Sequence, residues 1–306
     1  MKDLSVFSSR QSPLQKLDIP LFKDLGIDLF IKRDDLLHPE ISGNKWRKLK
    51  YNLFELEKSD KSGFITFGGA YSNHLHAVAA AGKEFDFVTV GIVRGEKPAI
   101  LSSTLKNCLD LGMKLVFVSR EEYRLKEKSN PIAEIIGSHS ELILLPEGGA
   151  NHFALKGCAE IMDEITVPFD YLCLACGTGA TMAGILSSNR KDFQTIGFPV
   201  LKGGDFIADE IRQLLQIANN EQRTFELKTD YHFGGYAKNT LELLEFMREF
   251  ETQTSIQLEQ VYTGKMMFGV FDLAKKSFFK RGDQIIVLHT GGLQGILGVL
   301  DKTNGF

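Results

Sequence analysis

The chain has 306 residues, of which 43% are hydrophobic, 25% charged and 10% aromatic. That composition excludes disorder, and the length is enough to bury about 70 to 75% of the unfolded surface. Lys and Arg total 36 against 39 Asp and Glu, a net charge of −3, which excludes the basic footprint of a nucleic-acid binder.

In chain order, the start Met1-Lys2-Asp3-Leu4 runs into polar Ser8, Ser9, Arg10 and Gln11 rather than an apolar h-region, so the protein reads as cytoplasmic. The longest apolar runs, such as 171–176 and 284–289, fall far short of the roughly 20 residues that cross a bilayer, so no membrane span is expected. Strands are predicted over 29–32, 63–67, 87–93, 114–118, 141–145, 170–175, 195–199 and 284–289. Helical patterns lie between them, over 45–58, 72–83, 152–164, 178–188, 205–218, 239–250 and 265–279. This alternation predicts an α/β fold with parallel sheet covered by helices. Residues 121–130 read as a charged, solvated segment, and no repeat or linker interrupts the chain. A smaller domain, 49–151, is expected as an insertion in a larger one made of 1–48 and 152–306. Four cysteines in a chain of this length make no disulfide framework, and Cys173 and Cys176 read as small residues of a buried strand rather than half of a metal site.

Four constellations carry chemistry. Ser42-Gly43-Asn44-Lys45-Trp46-Arg47-Lys48 is a glycine turn feeding a helix. Positive charge at the helix start, with Arg47 and Lys48 close by, favours the neutral amine of Lys45, which could form an imine with a carbonyl compound. Thr66 to His74 takes a strand through Gly68-Gly69 into a helix and brings Ser72 to the carboxyl edge of the sheet. Ser72 suits an N-cap and also a carboxylate receptor. His74 and His76 read as packing residues of an alanine-rich helix. Gly177-Thr178-Gly179-Ala180-Thr181 follows a strand and opens a helix, a turn whose N–H groups and hydroxyls suit a phosphate. Late in the chain, Tyr236, Tyr262-Thr263-Gly264-Lys265 and His289-Thr290-Gly291-Gly292 set hydroxyls beside glycines.

An activated lysine, a separate phosphate cradle and scattered hydroxyls describe a pyridoxal 5′-phosphate site. With the lysine near the amino terminus and the cradle in mid-chain, the order resembles the tryptophan-synthase-β-like group, or fold type II. Ile31-Lys32-Arg33-Asp34-Asp35, Gly43-Asn44-Lys45-Trp46-Arg47-Lys48-Leu49, Ser72-Asn73-His74, Tyr262-Thr263-Gly264-Lys265 and His289-Thr290-Gly291-Gly292 resemble the 1-aminocyclopropane-1-carboxylate deaminase/D-cysteine desulfhydrase family over nearly the whole chain. The resemblance implies two open, twisted, mostly parallel sheets and a homodimer acting on a small amino acid. It implies that Lys45 holds the cofactor covalently and shuttles protons, while Lys48 and Gly177, Thr178, Gly179, Ala180 and Thr181 hold the phosphate. Asn73 would face the pyridoxal 3′-oxygen. Ser72, Asn73 and His74 would receive the substrate carboxylate, Ser72 would assist at the reacting carbon, and Tyr236 and Tyr262 would close the substrate side.

Ring-opening deaminases are similar in having Tyr-Glu where this chain has Tyr262-Thr263. Thr290, with Thr263 nearby, is the expected partner of the pyridine nitrogen, which matches the desulfhydrase pattern. The resemblance therefore implies α,β-elimination from D-cysteine, with deamination of 1-aminocyclopropane-1-carboxylate as the alternative and a non-catalytic cofactor- or phosphometabolite-binding protein as a reading of another class. Two positions depart from the family: Ser42 stands where a glycine is common, and His76 where an arginine is expected.

Overall fold

The computed structural model describes residues 3–220 and 222–296, and its strands form two sheets. The larger has the order β1 (Leu14–Leu17), β2 (Asp28–Lys32), β10 (Gln284–Leu288), β7 (Tyr171–Cys176), β8 (Gln194–Pro199) and β9 (Glu226–Leu227). Its strands run parallel except β1, which pairs antiparallel with β2. The smaller has the order β5 (Lys114–Val118), β4 (Val88–Arg94), β3 (Gly63–Gly68) and β6 (Leu142–Leu145), all parallel.

Both faces of the larger sheet are covered, which explains why its central strands are continuous apolar runs rather than alternating ones. In β10, Ile285 and Val287 pack with Met266, Met267 and Val270 of the helix Thr263–Lys275 on one face. Ile286 and Leu288 pack with Ala183, Ile207 and Ile211 on the other. The smaller sheet repeats the scheme: Phe64 faces Leu75 and Val78, while Ile65 and Phe67 face Tyr123 and Ile132. Lys32 of β2 stands level with Leu288 of β10, so Asp34, His289 and Thr290 leave the sheet together at one carboxyl edge.

The helix Asn44–Lys58 runs unbroken through the expected domain boundary after Lys48, and its buried apolar side chains, Trp46, Leu49, Leu53 and Leu56, join the core of the smaller sheet. The outermost parts of the expected larger unit, 1–2 and 297–306, lie outside the described residues. Two histidine–glutamate pairs fasten the segment before this helix to the helix Asn73–Phe85. His38 Nε2 lies 2.9 Å from Glu84 Oε2, and His76 Nε2, at the arginine position of the family pattern, lies 3.3 Å from Glu40 Oε2.

The structure adds elements that periodicity does not predict: β1, β9 and the short helices Val6–Ser9, Pro20–Leu25, Ser103–Asp110, Arg120–Leu125 and Asn130–Gly137. The segment expected to be solvated, 121–130, is mostly exposed but helical rather than irregular. Ser119 and Glu122 close a capping box there, and Tyr123 is buried, its hydroxyl donating to Glu147 Oε1 at 2.7 Å. Cys108, Cys158, Cys173 and Cys176 are free and buried. Among the described residues no cluster could hold a metal, and no helix is long and apolar enough to cross a membrane.

Candidate active site

The site begins at Gly43, whose φ of 63° is one that side-chain-bearing residues rarely adopt. A Cβ there would lie 1.8 Å from the Thr290 carbonyl oxygen, so at this position the lysine turn and the segment after β10 meet backbone to backbone. Asn44 N–H donates to that same carbonyl at 3.2 Å, which seats the first turn of the helix Asn44–Lys58. Within it, Lys45 Nζ donates to Asn44 Oδ1 at 2.9 Å, and Asn44 Nδ2 donates to Thr181 Oγ1 at 2.8 Å. This chain of bonds ties the amine to the glycine-threonine turn.

Burial, aided by the neighbouring Lys48 ammonium and opposed by Glu259, draws the Lys45 pKa down to about 7. A substantial fraction is therefore a neutral nucleophile at neutral pH. Arg47 does not share in this as the sequence suggests: its guanidinium is buried and paired with Asp34 at 2.9 Å and with Glu164. Lys32 also pairs with Glu164, at 2.6 Å. This ionic network anchors the root of the helix on β2.

Lys48 is buried, and burial lowers its pKa. Its Nζ donates one bond, to the Gly148 carbonyl at 3.0 Å, leaving N–H capacity for an anion. A Cβ on Gly148 would stand 2.9 Å from Thr178 Cγ2, so that carbonyl segment borders the glycine-threonine turn. Gly179 has a φ of 72°, and a Cβ on it would strike Ile211 at 2.5 Å. The helix Ala180–Leu186 follows, and its first N–H groups have no acceptors within the helix.

At the carboxyl end of β3, Ser72 Oγ accepts from Leu75 N–H at 3.2 Å and caps the helix Asn73–Phe85. Asn73 Nδ2 lies against Gly292, where a Cβ would come within 2.7 Å of it. Thr66 Oγ1 donates to the Leu145 carbonyl at 2.9 Å and thus accepts from His74 Nε2, also at 2.9 Å. This bond leaves His74 Nδ1 a bare acceptor, buried beside Gly149 and without a partner among the described residues. Burial, with Lys45 and Lys48 nearby, holds this imidazole neutral, its pKa well below the usual value.

The opposite wall is built around Glu259, which the sequence reading omits. Its Oε1 accepts from Tyr262 and Thr263 N–H at 2.7 and 2.6 Å, and its Oε2 accepts from Val261 N–H at 2.7 Å. The carboxylate thereby caps the helix Thr263–Lys275. Thr263 Oγ1 accepts from Glu259 N–H at 3.0 Å and is wholly buried. Thr290 is 8% exposed. The Tyr262 ring packs on Gly177, where a Cβ would lie 3.1 Å from Cε1. Tyr236, on the loop after β9, sets its ring edge-on to Tyr262 at 6.1 Å. The signal for Glu259 was its place four residues before Thr263, at a helix start; Thr66 and Gly148 had no local signal.

Lys45, Lys48, Ser72, Asn73, His74, the 177–181 turn, Thr263, Thr290 and the two tyrosines are thus linked by contacts around the carboxyl edges of both sheets. The residues fit pyridoxal phosphate. A partly neutral lysine suits its aldehyde, a buried lysine beside a glycine-threonine turn suits its anionic tail, and polar groups line the space between.

Comparisons with known proteins agree. A model of the family described as pyridoxal-phosphate dependent enzyme matches residues 8–291. A Pyrococcus furiosus protein named "Putative 1-aminocyclopropane-1-carboxylate deaminase" is 32% identical over 314 residues, covering 97% of this chain and 94% of that protein. The mitochondrial bifunctional D-cysteine desulfhydrase/1-aminocyclopropane-1-carboxylate deaminase of Arabidopsis thaliana is 29% identical over 316 residues, covering 95% of this chain and 78% of that protein. Among solved structures, that of an ACC deaminase homologue superposes with a TM-score of 0.83 at 28% identity, covering 98% of this chain and 97% of that one.

Proposed function

Because the chain belongs to the pyridoxal-phosphate dependent enzyme family, whose cofactor is pyridoxal phosphate, we propose that it is a lyase acting on D-cysteine or a related β-substituted alanine. Elimination from D-cysteine, with one water consumed, gives pyruvate, ammonia and sulfide. The observation that carries this reading is that both residues expected near the pyridine nitrogen are threonines: Thr290, and Thr263, whose buried hydroxyl is already bonded to Glu259. The carboxylate there, Glu259, is spent on backbone N–H groups.

When bound, pyridoxal phosphate supplies an electron sink for the bonding pair released at the substrate Cα, and a neutral hydroxyl at its nitrogen makes that sink shallower than a carboxylate would. Losing a thiolate from Cβ asks less of the sink than opening a ring whose α-carbon has no hydrogen. Lys45, with its pKa near 7, is suited to take the Cα proton and to return one. Ser72 and Asn73, at a helix N-terminus, are suited to a substrate carboxylate, and the neutral His74 lies directly behind them. Lys48 and residues 177–181 would hold the phosphate. Tyr236 and Tyr262 would flank the β-substituent and exclude water from it.

A second reading is deamination of 1-aminocyclopropane-1-carboxylate to 2-oxobutanoate and ammonia, favoured by the names of the Pyrococcus protein and of the superposed homologue. Protein loaded with pyridoxal phosphate and offered D-cysteine, L-cysteine, D-serine, β-chloroalanine and 1-aminocyclopropane-1-carboxylate separates the two. Pyruvate from D-cysteine and β-chloroalanine is the expected result. Turnover of the cyclopropane compound alone overturns the elimination reading, and a yellow protein inert toward all five overturns both.

A further inference from the structure

The loop after β9 carries Tyr236 on a backbone that needs outside support. Phe233, Gly234, Gly235 and Ala237 have φ values of 51°, 89°, 116° and 53°, and two of the four bear side chains that disfavour that region. The support comes from Lys265, in the first turn of the helix Thr263–Lys275. Its side chain is 0% exposed, and its Nζ donates to the His232 carbonyl at 2.8 Å and to the Gly235 carbonyl at 2.7 Å. No carboxylate pairs with it among the described residues. Glu259 acts on it from a distance and opposes the desolvation that draws its pKa down to about 8. A desolvated ammonium without a counter-ion is costly, and here it is offset by two carbonyl dipoles belonging to one strained loop.

One helix therefore governs both tyrosines. Its cap, Glu259, fixes the N–H of Tyr262, and Lys265 reaches across to the carbonyls on either side of Gly234, next to Tyr236. We propose that Lys265 is a positioning residue for Tyr236, its ammonium holding the 229–238 loop so that this ring stays against Tyr262 over the glycine-threonine turn. The consequence for turnover rests on the reading above, in which the two tyrosines flank the substrate. The hold on the loop does not.

Amide hydrogen exchange of the pyridoxal phosphate-loaded protein and its Lys265→Met variant tests the hold. Exchange at Gly235 and Lys238, whose N–H groups bond to His232 and Gly235, should quicken about tenfold or more in the variant, with the helices Asn44–Lys58 and Thr263–Lys275 unchanged. Wild-type exchange in the loop overturns the proposal. So does equal quickening everywhere, which would mean a general loss of stability.

For turnover, Lys265→Met, Tyr236→Phe and the double variant are compared on whichever amino acid the panel identifies. If Lys265 acts through Tyr236, the double variant loses no more kcat/KM than the worse single variant; losses that multiply overturn the link. If wild-type protein turns over nothing in the panel, the substrate reading falls, and hydrogen exchange alone decides on Lys265.

Discussion

At the scale of single residues, chemistry in this site is set by which polar atoms are already spent. Lys45 gives one bond to Asn44, Lys48 one to Gly148, and His74 keeps Nδ1 bare because Thr66 holds its other nitrogen. The depressed pKa of Lys45 has a signed consequence. Above about pH 7 the amine is mostly neutral, and below it the reactive form falls about tenfold per unit. Apoprotein given pyridoxal phosphate should therefore develop yellow absorbance more slowly as pH drops from 8 to 5, and Lys45→Ala should not develop the covalent signal at all. A rate that rises on acidification would contradict the assignment. The lysine, the serine and the glycine-threonine turn are legible in sequence because each sits in a short local motif. Thr66 and Gly148 are not, since their meaning comes from the partners Leu145 and Lys48 that folding brings together, whereas Glu259 bonds to residues 261–263 and carried a local signal.

Among the elements, what brings the lysine helix to the end of β10 is the bare backbone at Gly43. Gly43→Ala would add a Cβ at 1.8 Å from a carbonyl oxygen, in a conformation alanine disfavours. The expected cost is about 2 kcal/mol or more, read as a fall in the chemical-denaturation midpoint together with weakened cofactor retention. Ser42→Gly, at the next position, should keep both, because Ser42 Oγ packs on Gly291 without closing the turn. The eight strands predicted from sequence all occur, since parallel strands buried on both faces are unmistakable apolar runs. β1, with its exposed Gln15 and Lys16, and the two-residue β9 have no such run. The helices at 103–110, 120–125 and 130–137 are too short for periodicity to reveal, and the burial of Tyr123 depends on Glu147, over twenty positions away.

For the molecule as a whole, three histidines, His74, His76 and His289, are buried with pKa values lowered chiefly by desolvation from an ordinary 6.5. The unfolded chain binds protons at these sites more readily than the native one, so their contribution is intact above pH 6.5 and is lost as pH falls below it. The apparent Tm should decline between about pH 6.5 and 5, before carboxylates dominate. A flat or rising Tm across that window would show that Glu40 and Asp35, which face His76 and His289, outweigh burial.

The four cysteines, all enclosed, acquire a meaning from the proposed chemistry. Burial raises every one of their pKa values, to about 12 for Cys108, about 11 for Cys158 and about 12 for Cys176, and higher still for Cys173. Sulfide alone leaves a thiolate unchanged, but the polysulfide formed when dissolved oxygen oxidises it transfers its zero-valent sulfur to accessible thiolates. This chain presents no such handle, so its own product cannot poison it through sulfur, and a thiol-specific dye should find nothing to label until the protein is denatured.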